Sequence, residues 1–314
     1  MSFLALLFSF FPFQIHTGQA QGTTYTIKYV AAHPVVSQQQ LDSLFRVINL
    51  SLSLYEPHSL INVFNRDGKV KMDVHLHKVV KTALEVHALS HGAFDITSFS
   101  ISSLWGFGVG GQFMLPDKKA IRQVRRLTGS QWLEVKGDSL IARRNGVKID
   151  CNGIAQGYTV DEITSFLERN GISDMMVELG GEIRVKGFHP ETGHWKIGIE
   201  SALPKAEKWY PVQEIVALSN AALTSSGGNR KNFVSGKKRY THIIHPSRGK
   251  PVKNNVLSVS VQAPTAMLAD AWDNTFLVMG LRKSTKWLKQ QQELTAWINY
   301  KKGDNEFRTF TNKK

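Results

Sequence analysis

The sequence predicts an α+β fold, built as a single compact domain with two α/β lobes. Apolar residues recur at helical spacing in some segments and alternate as in strands in others, without the rhythm of repeated parallel units. No internal repeat is visible. With 314 residues, 42% of them apolar and 20% charged, the chain can bury one sizeable core or two modest ones. It is therefore globular rather than disordered.

The first element is an apolar run from Phe3 to Phe13. It is too short to span a bilayer as a helix and has the length of the apolar region of a signal peptide. A basic segment before it and an Ala-x-Ala cleavage site are both lacking. We assign residues 1–16 to a secretion signal or apolar N-terminal segment and residues 17–310 to the domain. No later segment is apolar enough to cross a membrane.

One strand and two helices are predicted before residue 100. Residues 22–30 alternate like a strand, and apolar residues at helical spacing predict a helix over 39–54. A second amphipathic helix, over 77–90, is stopped by Gly92.

The second half predicts two further helices among strands. A short strand at 146–149 leads into a helix over 155–170, which ends at Asn170-Gly171, a pair typical of helix C-caps. A helix over 265–279 is stopped by Gly280. Strands are predicted at 175–185 with an interruption at the Gly180-Gly181 pair, at 195–200, at 257–262 and at 296–300.

The net charge of +14 is scattered over many Lys and Arg pairs. This pattern suits an anionic ligand, an acidic partner or a membrane surface, and it is equally typical of a surface that is merely soluble. The only cysteine is Cys151, which excludes an intramolecular disulfide and a thiolate metal site. Its expected role is apolar packing in a turn.

The segment from Asp150 to Asp161 is rich in small residues and opens the helix over 155–170. Backbone N–H groups at such a turn, together with the helix dipole, form a site for phosphate or another anion. The spacing of Gly153 and Gly157 matches neither a Walker loop nor a Rossmann fingerprint, so a plain tight turn is the alternative.

Asp270 and Asn274 are four residues apart on the late helix and so share a face, with Asp273 beside them. A carboxylate and an amide oxygen are the hard ligands that Mg²⁺ prefers. The alternative is an ordinary solvated face. However, Asp270 lies within an apolar string, and a carboxylate among buried neighbours needs a partner.

Two histidines, His242 and His245, precede a Pro-x-x-Gly turn. His242 suits a general base near neutral pH. A zinc pair and a structural histidine that holds the turn are the alternatives. The nearby segment 224–229 offers hydroxyl and N–H groups that could bind phosphate or only turn the chain.

Taken in order, these segments resemble the successive signatures of the ApbE family, whose members are FAD:protein FMN transferases. The resemblance covers about residues 17 to 300. Its segments are Gly18 to Tyr25, Leu54 to Pro57, Gly92 to Thr97, Leu104 to Gly108, Asp150 to Asp161, Glu178 to Arg184, Ser225 to Gly227, Thr241 to Pro246 and Ala269 to Ala271.

The resemblance implies an ApbE-like, T-fold-like architecture and an activity. Members use Mg²⁺ to split the pyrophosphate of FAD and transfer FMN to a threonine hydroxyl of an acceptor protein, leaving a phosphoester and AMP. The implied partners are FAD and threonine-bearing acceptor subunits of extracytoplasmic redox complexes, with no nucleic acid. We expect a periplasmic or extracytoplasmic location, with attachment to the inner membrane or association with its surface.

The resemblance also implies site residues. The metal ligands are Asp270, the backbone carbonyl of Gly153, and Asn274, which stands where the family has threonine. His242 and Asp270 are the catalytic residues. The flavin contacts fall on Gln21, Tyr55, Ala93, Phe94, Asp95, Thr97, Gln156 and His242.

Several of these positions depart from the family pattern. Gln21 replaces methionine, Gln156 replaces lysine or glutamate, and His245 replaces the aspartate that accompanies the base. Two alternatives to transfer therefore stay open. One is a Mg²⁺-dependent FAD pyrophosphatase that releases FMN and AMP, and the other is a protein that binds FAD without catalysis.

Overall fold

The computed structural model describes residues 12–200, 212–227, 232–235, 238–291, 293–303 and 306–313. Within them lie eight α-helices and 17 strands, which confirms the α+β class. The helices are α1 (Gln38–Leu52), α2 (Leu60–Asp67), α3 (Val74–Leu89), α4 (Phe99–Leu104), α5 (Lys118–Arg125), α6 (Ala155–Arg169), α7 (Ala266–Met279) and α8 (Leu281–Leu288). The strands are β1 (Phe13–Ala20), β2 (Thr23–Val30), β3 (Lys69–Lys71), β4 (Leu133–Lys136), β5 (Ser139–Ala142), β6 (Met175–Leu179), β7 (Glu182–Lys186), β8 (Trp195–Glu200), β9 (Val212–Leu218), β10 (Ala221–Gly227), β11 (Asn232–Ser235), β12 (Lys238–Thr241), β13 (Ile244–His245), β14 (Lys250–Pro251), β15 (Val256–Ala263), β16 (Thr295–Lys302) and β17 (Glu306–Thr311).

An eight-stranded antiparallel sheet forms the centre of the fold, in the order β1-β2-β6-β7-β10-β15-β16-β17. β1 and β2 are joined by the two-residue turn Gln21-Gly22, in which both residues have positive φ, as a type I′ hairpin requires. The smaller sheets are β3-β5-β4, β8-β9, β11-β12 and β13-β14.

Different elements cover the two faces of the large sheet. Successive side chains of a strand point to opposite faces. On β6, Met175 and Val177 therefore pack with α1 and α6, whereas Met176 packs with β8 and β9. α7 lies beside α6, and its core continues through α2 and α3 to Val70 and Leu140 of the small sheet β3-β5-β4. This arrangement fits the two predicted lobes.

The predicted helices of the second half lie close to the observed bounds, because capping residues mark them. α7 starts after Thr265, whose side chain caps Leu268 N–H, and ends at Gly280 with φ +74°. α6 ends at Asn170, followed by Gly171 with φ +80°.

One predicted strand is wrong. Residues 146–149 join no sheet. The side chain of Asn65 takes the place of a neighbouring strand, since its Oδ1 accepts a hydrogen bond from Ile149 N–H at 2.7 Å and its Nδ2 donates to the Ile149 carbonyl at 2.9 Å. The backbone N–H and carbonyl of Ile149 are thus both hydrogen-bonded without a neighbouring strand.

The N-terminal prediction is only partly covered, because residues 3–11 of the apolar run lie outside the described residues. From Phe13 onward the chain forms β1 and pairs with β2, so the sheet begins before residue 17. No helix in the described part of the chain is both long and apolar enough to cross a lipid bilayer.

Candidate functional site

Asp270 is buried where α7 crosses α6, with 3% of its surface exposed. Its Oδ2 accepts a hydrogen bond from Gly157 N–H at 3.0 Å, in the first turn of α6. No side chain caps this end of α6. A Cβ on Gly157 would collide with the Ala266 carbonyl and stand 2.8 Å from the Asp270 Cβ. The helix N-terminus that the sequence predicts as an anion site therefore holds a carboxylate of the protein itself.

The other two predicted metal ligands lie next to Asp270. Asn274 Nδ2 donates to Asp270 Oδ1 at 3.2 Å and to the Asp270 carbonyl at 3.1 Å. The position that a Cβ would take on Gly153 is 3.7 Å from Asn274 Nδ2. The structure thus brings Gly153, Asp270 and Asn274 together, and their role as ligands stays a prediction.

Asp273 adds a second carboxylate on the same helix, and it is fully buried. Its Oδ2 accepts a hydrogen bond from the Thr224 hydroxyl at 2.7 Å, and the Ser226 side chain also hydrogen-bonds to it. Oδ1 of Asp273 has no hydrogen-bond partner among the described residues. The sequence placed Asp273 beside the site, as a residue that could compensate for Asn274 in binding Mg²⁺, and that role stays a prediction.

Burial raises the pKa of both Asp270 and Asp273 well above the ordinary value, and the charge of Asp273 raises that of Asp270 further. Two buried carboxylates with one unsatisfied oxygen need a proton or a cation. Carboxylate, amide and backbone oxygens form the hard donor set that suits Mg²⁺. No group of three or more His, Cys, Asp or Glu side chains that could hold a metal occurs within the described ranges. A cation here would therefore complete its shell with backbone, water or ligand oxygens.

Asp161 fixes the start of α7, and the sequence analysis assigned it no role. Its carboxylate accepts hydrogen bonds from the backbone N–H groups of Ala266 and Met267, both at 2.9 Å. Arg184 Nη1 donates to it at 2.6 Å. Burial raises the pKa of Asp161, and the charge of Arg184 opposes that rise. This buried pair ties α6, α7 and β7 together beside Asp270.

Cys151 has the predicted apolar role. It is buried, and burial raises the pKa of its thiol.

Three of the predicted flavin contacts lie around this site. Gln21 Nε2 donates to the Thr159 hydroxyl of α6 at 2.9 Å. Phe94 Cε2 is 3.5 Å from the Cβ position of Gly153. Gln156 Nε2 is 3.2 Å from the Cβ position of Gly180, in the turn between β6 and β7. Gln21 and Phe94 thus approach α6 and the turn that precedes it, and Gln156 lies in the first turn of α6.

The side chains of Asp95 and Thr97 are engaged elsewhere. Asp95 Oδ1 accepts hydrogen bonds from the Thr97 hydroxyl at 2.6 Å and from the Ser130 hydroxyl at 3.0 Å. The Thr97 hydroxyl accepts from Gly129 N–H at 2.6 Å. These bonds hold the turn at 128–131, so both side chains stabilise the fold and their flavin contacts stay a prediction.

The flavin contacts predicted for Tyr55 and Ala93 also stay predictions. The Tyr55 side chain is 71% exposed on the segment between α1 and α2, and Ala93 is half-buried before Phe94.

His242 follows β12 and contacts an aromatic cluster. Its ring meets Phe107 edge-on, with centroids 6.4 Å apart. Phe113 and Phe233 stack with centroids 4.6 Å apart, and Tyr240 packs on Phe113. Sequence reasoning missed this cluster, and its only signal was the density of aromatic residues in a glycine-rich segment.

His245, which the family resemblance places at an aspartate position, is half-buried on β13. Burial lowers its pKa, and the nearby charges of Arg248 and Lys283 lower it further. An aspartate at this position would instead face two cations.

Comparisons with known proteins agree with this fold. The sequence profile of the ApbE family matches residues 21–298. The FAD:protein FMN transferase of Vibrio cholerae is 33% identical over 276 residues, which cover 85% of this chain and 82% of that protein. The Escherichia coli K12 protein of the same description is 31% identical over 267 residues, covering 82% of this chain and 75% of that protein.

Solved structures are similar over nearly the whole chain. The flavin transferase ApbE from Vibrio cholerae superposes with a TM-score of 0.86 at 30% identity, covering 96% of this chain and 97% of that one. The apo form of the Pseudomonas stutzeri flavinyl transferase ApbE gives a TM-score of 0.87 at 28% identity, covering 96% and 95%. The chain belongs to the ApbE family.

Proposed function

We propose that this protein is a Mg²⁺-dependent FAD:protein FMN transferase that attaches FMN to a threonine hydroxyl of an acceptor protein. The observation that carries the proposal is the pair of buried carboxylates on α7, in which Asp270 accepts a hydrogen bond from Gly157 N–H of α6 and Asp273 accepts one from the Thr224 hydroxyl of β10. The activity named for the Vibrio cholerae and Escherichia coli relatives supports it.

Asp270, Asn274 and the Gly153 carbonyl would hold the metal, with Asp273 close by. When bound, Mg²⁺ would neutralise charge on the pyrophosphate of FAD and on these carboxylates. Gly157 N–H fixes the orientation of the Asp270 carboxylate, and Asp161 fixes the helix that carries it. The site is therefore preorganised by backbone groups together with buried side chains.

In the proposed step, the threonine oxygen forms a bond to the phosphorus of the FMN half, and the bond from that phosphorus to the bridging oxygen breaks. AMP leaves with the bridging oxygen. His242 would accept the proton of the threonine hydroxyl, which is a poor nucleophile without a base. With water in place of threonine, the same contacts would give the hydrolytic activity that the sequence leaves open.

The test uses purified protein, FAD, Mg²⁺ and a threonine-bearing acceptor domain, with in-gel flavin fluorescence as the readout. We expect a fluorescent acceptor band that EDTA abolishes. Asp270→Asn, which keeps the volume of the buried side chain, should lose the band while its thermal melt stays cooperative. The matched control is Asp67→Asn, because Asp67 is exposed and pairs with its neighbour Arg66 on the surface.

A band of full strength in EDTA or in Asp270→Asn would contradict the metal site. FMN and AMP released with no fluorescent acceptor would instead identify a pyrophosphatase. FAD bound without turnover would identify a binding protein.

We also propose an extracytoplasmic location, supported by the apolar run from Phe3 to Phe13 and by the basic net charge of +14. Fractionation of cells that express the full chain should recover it outside the cytoplasm, in the periplasmic or membrane fraction. Recovery in the cytoplasmic fraction alone would contradict this location.

A further inference from the structure

A polar groove with a volume of about 540 Å³ opens beside the turn that follows His242. It lies between the C-terminal end of α3, the end of α5, the turn at 128–131 and the turn at 246–249. Hydrogen-bond donors line it, among them His87, His91, Arg125 and Gln131. We call this feature, together with the exposed face of α5, the basic groove.

Most charged side chains of the basic groove are basic, and Asp117, which caps the start of α5, is an exception. α5 carries Lys118, Lys119, Arg122 and Arg125, and Arg126 follows it directly. No ion pair of Arg122, Arg125 or Arg126 occurs among the described residues. The carboxylate that lines the groove belongs to Asp95, whose side chain is 3% exposed and hydrogen-bonded to Thr97 and Ser130. The groove therefore presents an uncompensated positive surface.

The basic groove is fixed to the turn at 246–249, which directly follows His245. Gly249 packs directly under Arg125, because a Cβ at Gly249 would lie 2.8 Å from the Arg125 Cγ. Trp105 Nε1 donates to the Gly249 carbonyl at 3.0 Å. Ser247, two residues after His245, lines the groove itself. A ligand in the groove would thus contact the turn that begins directly after His245.

We infer that the basic groove docks an acidic segment of the acceptor polypeptide, close to the threonine that receives FMN. This inference rests on the proposed transferase function and deepens it by naming the chemistry of the acceptor. A concave surface lined by side-chain donors fits carboxylates on an extended peptide better than the flat face of a bilayer. Complementary charge would also accelerate the encounter between the two proteins.

The experiment measures the binding of a fluorescein-labelled dodecapeptide with one central threonine flanked by glutamates, by fluorescence polarisation at low salt. A lysine-flanked peptide of the same length is the peptide control. The test variant is Arg122→Gln/Arg125→Gln, which keeps long polar side chains while removing two charges. The matched control is Lys69→Gln/Lys136→Gln, which removes two charges from the β3-β5-β4 sheet.

We expect the test variant to bind the glutamate peptide roughly 3- to 10-fold more weakly than the wild type, and the control variant to change less than 2-fold. The difference should disappear in about 0.5 M salt, which screens exposed charges. FAD affinity should be the same in all three proteins. Equal losses in the two variants, or equal binding of both peptides, would overturn the inference.

Two further measurements separate the possible failures. If only binding to vesicles containing phosphatidylglycerol falls in the test variant, the groove is a membrane contact and the inference is wrong. If the peptide result is as expected but no FMN transfer is found with any acceptor, the docking site stands and the transferase proposal fails. If FMN transfer at limiting acceptor is the same in Arg122→Gln/Arg125→Gln as in the wild type, the transferase proposal stands and the docking site is refuted.

Discussion

At the scale of single residues, Asn274 departs from the family pattern at the centre of the site. Its amide N–H₂ group donates to Asp270 Oδ1 and to the Asp270 carbonyl. It therefore stabilises the carboxylate charge and lowers the pKa of Asp270 against the effect of burial. To present its oxygen to a cation, the same amide would have to turn over and give up this donation.

We predict that Asn274→Thr binds Mg²⁺ as tightly as the wild type or more tightly, because the threonine hydroxyl offers one neutral oxygen and leaves Asp270 without a competing donor. Asn274→Leu is of similar size without an oxygen, and it should bind Mg²⁺ about 10-fold more weakly or worse. Isothermal titration of each protein with Mg²⁺ and FAD measures this directly. Identical Mg²⁺ affinities in all three proteins would show that residue 274 is not a ligand.

His242 has a separate prediction, because it sits against Phe107 in the aromatic cluster. His242→Asn keeps a polar side chain but cannot accept the threonine proton, so FMN transfer should fall by about 10² to 10⁴. FAD affinity should change little, and the wild-type rate should fall on acidification as the imidazole becomes protonated. A loss of FAD binding would instead show that His242 contacts FAD. An unchanged transfer rate would show that another residue is the base.

At the scale of elements, the crossing of α6 and α7 decides where Asp270 points. Gly157 allows this crossing, because any side chain there would meet the backbone of Ala266 and the Cβ of Asp270. The sequence placed both helices correctly from their caps and periodicity. It could not show that they touch, since Gly157 and Asp270 are 113 positions apart.

Gly157→Ala should therefore destabilise the protein by roughly 1–3 kcal/mol through overpacking, even though alanine is the better helix former. Urea unfolding measures the change. Gly227→Ala is the control, because the nearest atoms to a Cβ there are 3.6 and 3.7 Å away, which is ordinary contact. A Gly157→Ala protein as stable as the wild type would mean that the two helices separate without cost.

The other features that the sequence did not predict also depend on contacts between residues far apart in the chain. Residues 146–149 form no strand, because the side chain of Asn65 hydrogen-bonds the backbone N–H and carbonyl of Ile149, 84 positions later in the chain. The aromatic cluster joins Phe107 to Phe233 across the domain. Periodicity and caps are local signals, so they located α7 within a residue, whereas a long-range side-chain contact leaves no local pattern. The family resemblance supplied the site positions that spacing alone left open.

At the scale of the whole molecule, part of the scattered positive charge lies near the turn after His245, where the proposed chemistry would bring anions. The charges of Arg248 and Lys283 both lower the pKa of His245, and Arg125 of α5 lines the same groove as the turn at 246–249. In the family pattern a carboxylate at position 245 would balance part of this charge, whereas His245 adds to it once protonated. The turn after His242 should therefore be sensitive to pH in this protein.

The last prediction follows from the lowered pKa of His245. The native state binds this proton less readily than the unfolded chain, in which histidine titrates near pH ~6.5. The contribution to stability is therefore complete above about pH 6.5 and is lost as the pH falls toward the native pKa. Thermal melts between pH 7.5 and 5 should show a larger drop for the wild type than for His245→Asn, which cannot titrate. His245→Asp should gain stability at pH 7.5 from Arg248 and Lys283, and parallel pH profiles for all three proteins would contradict this account.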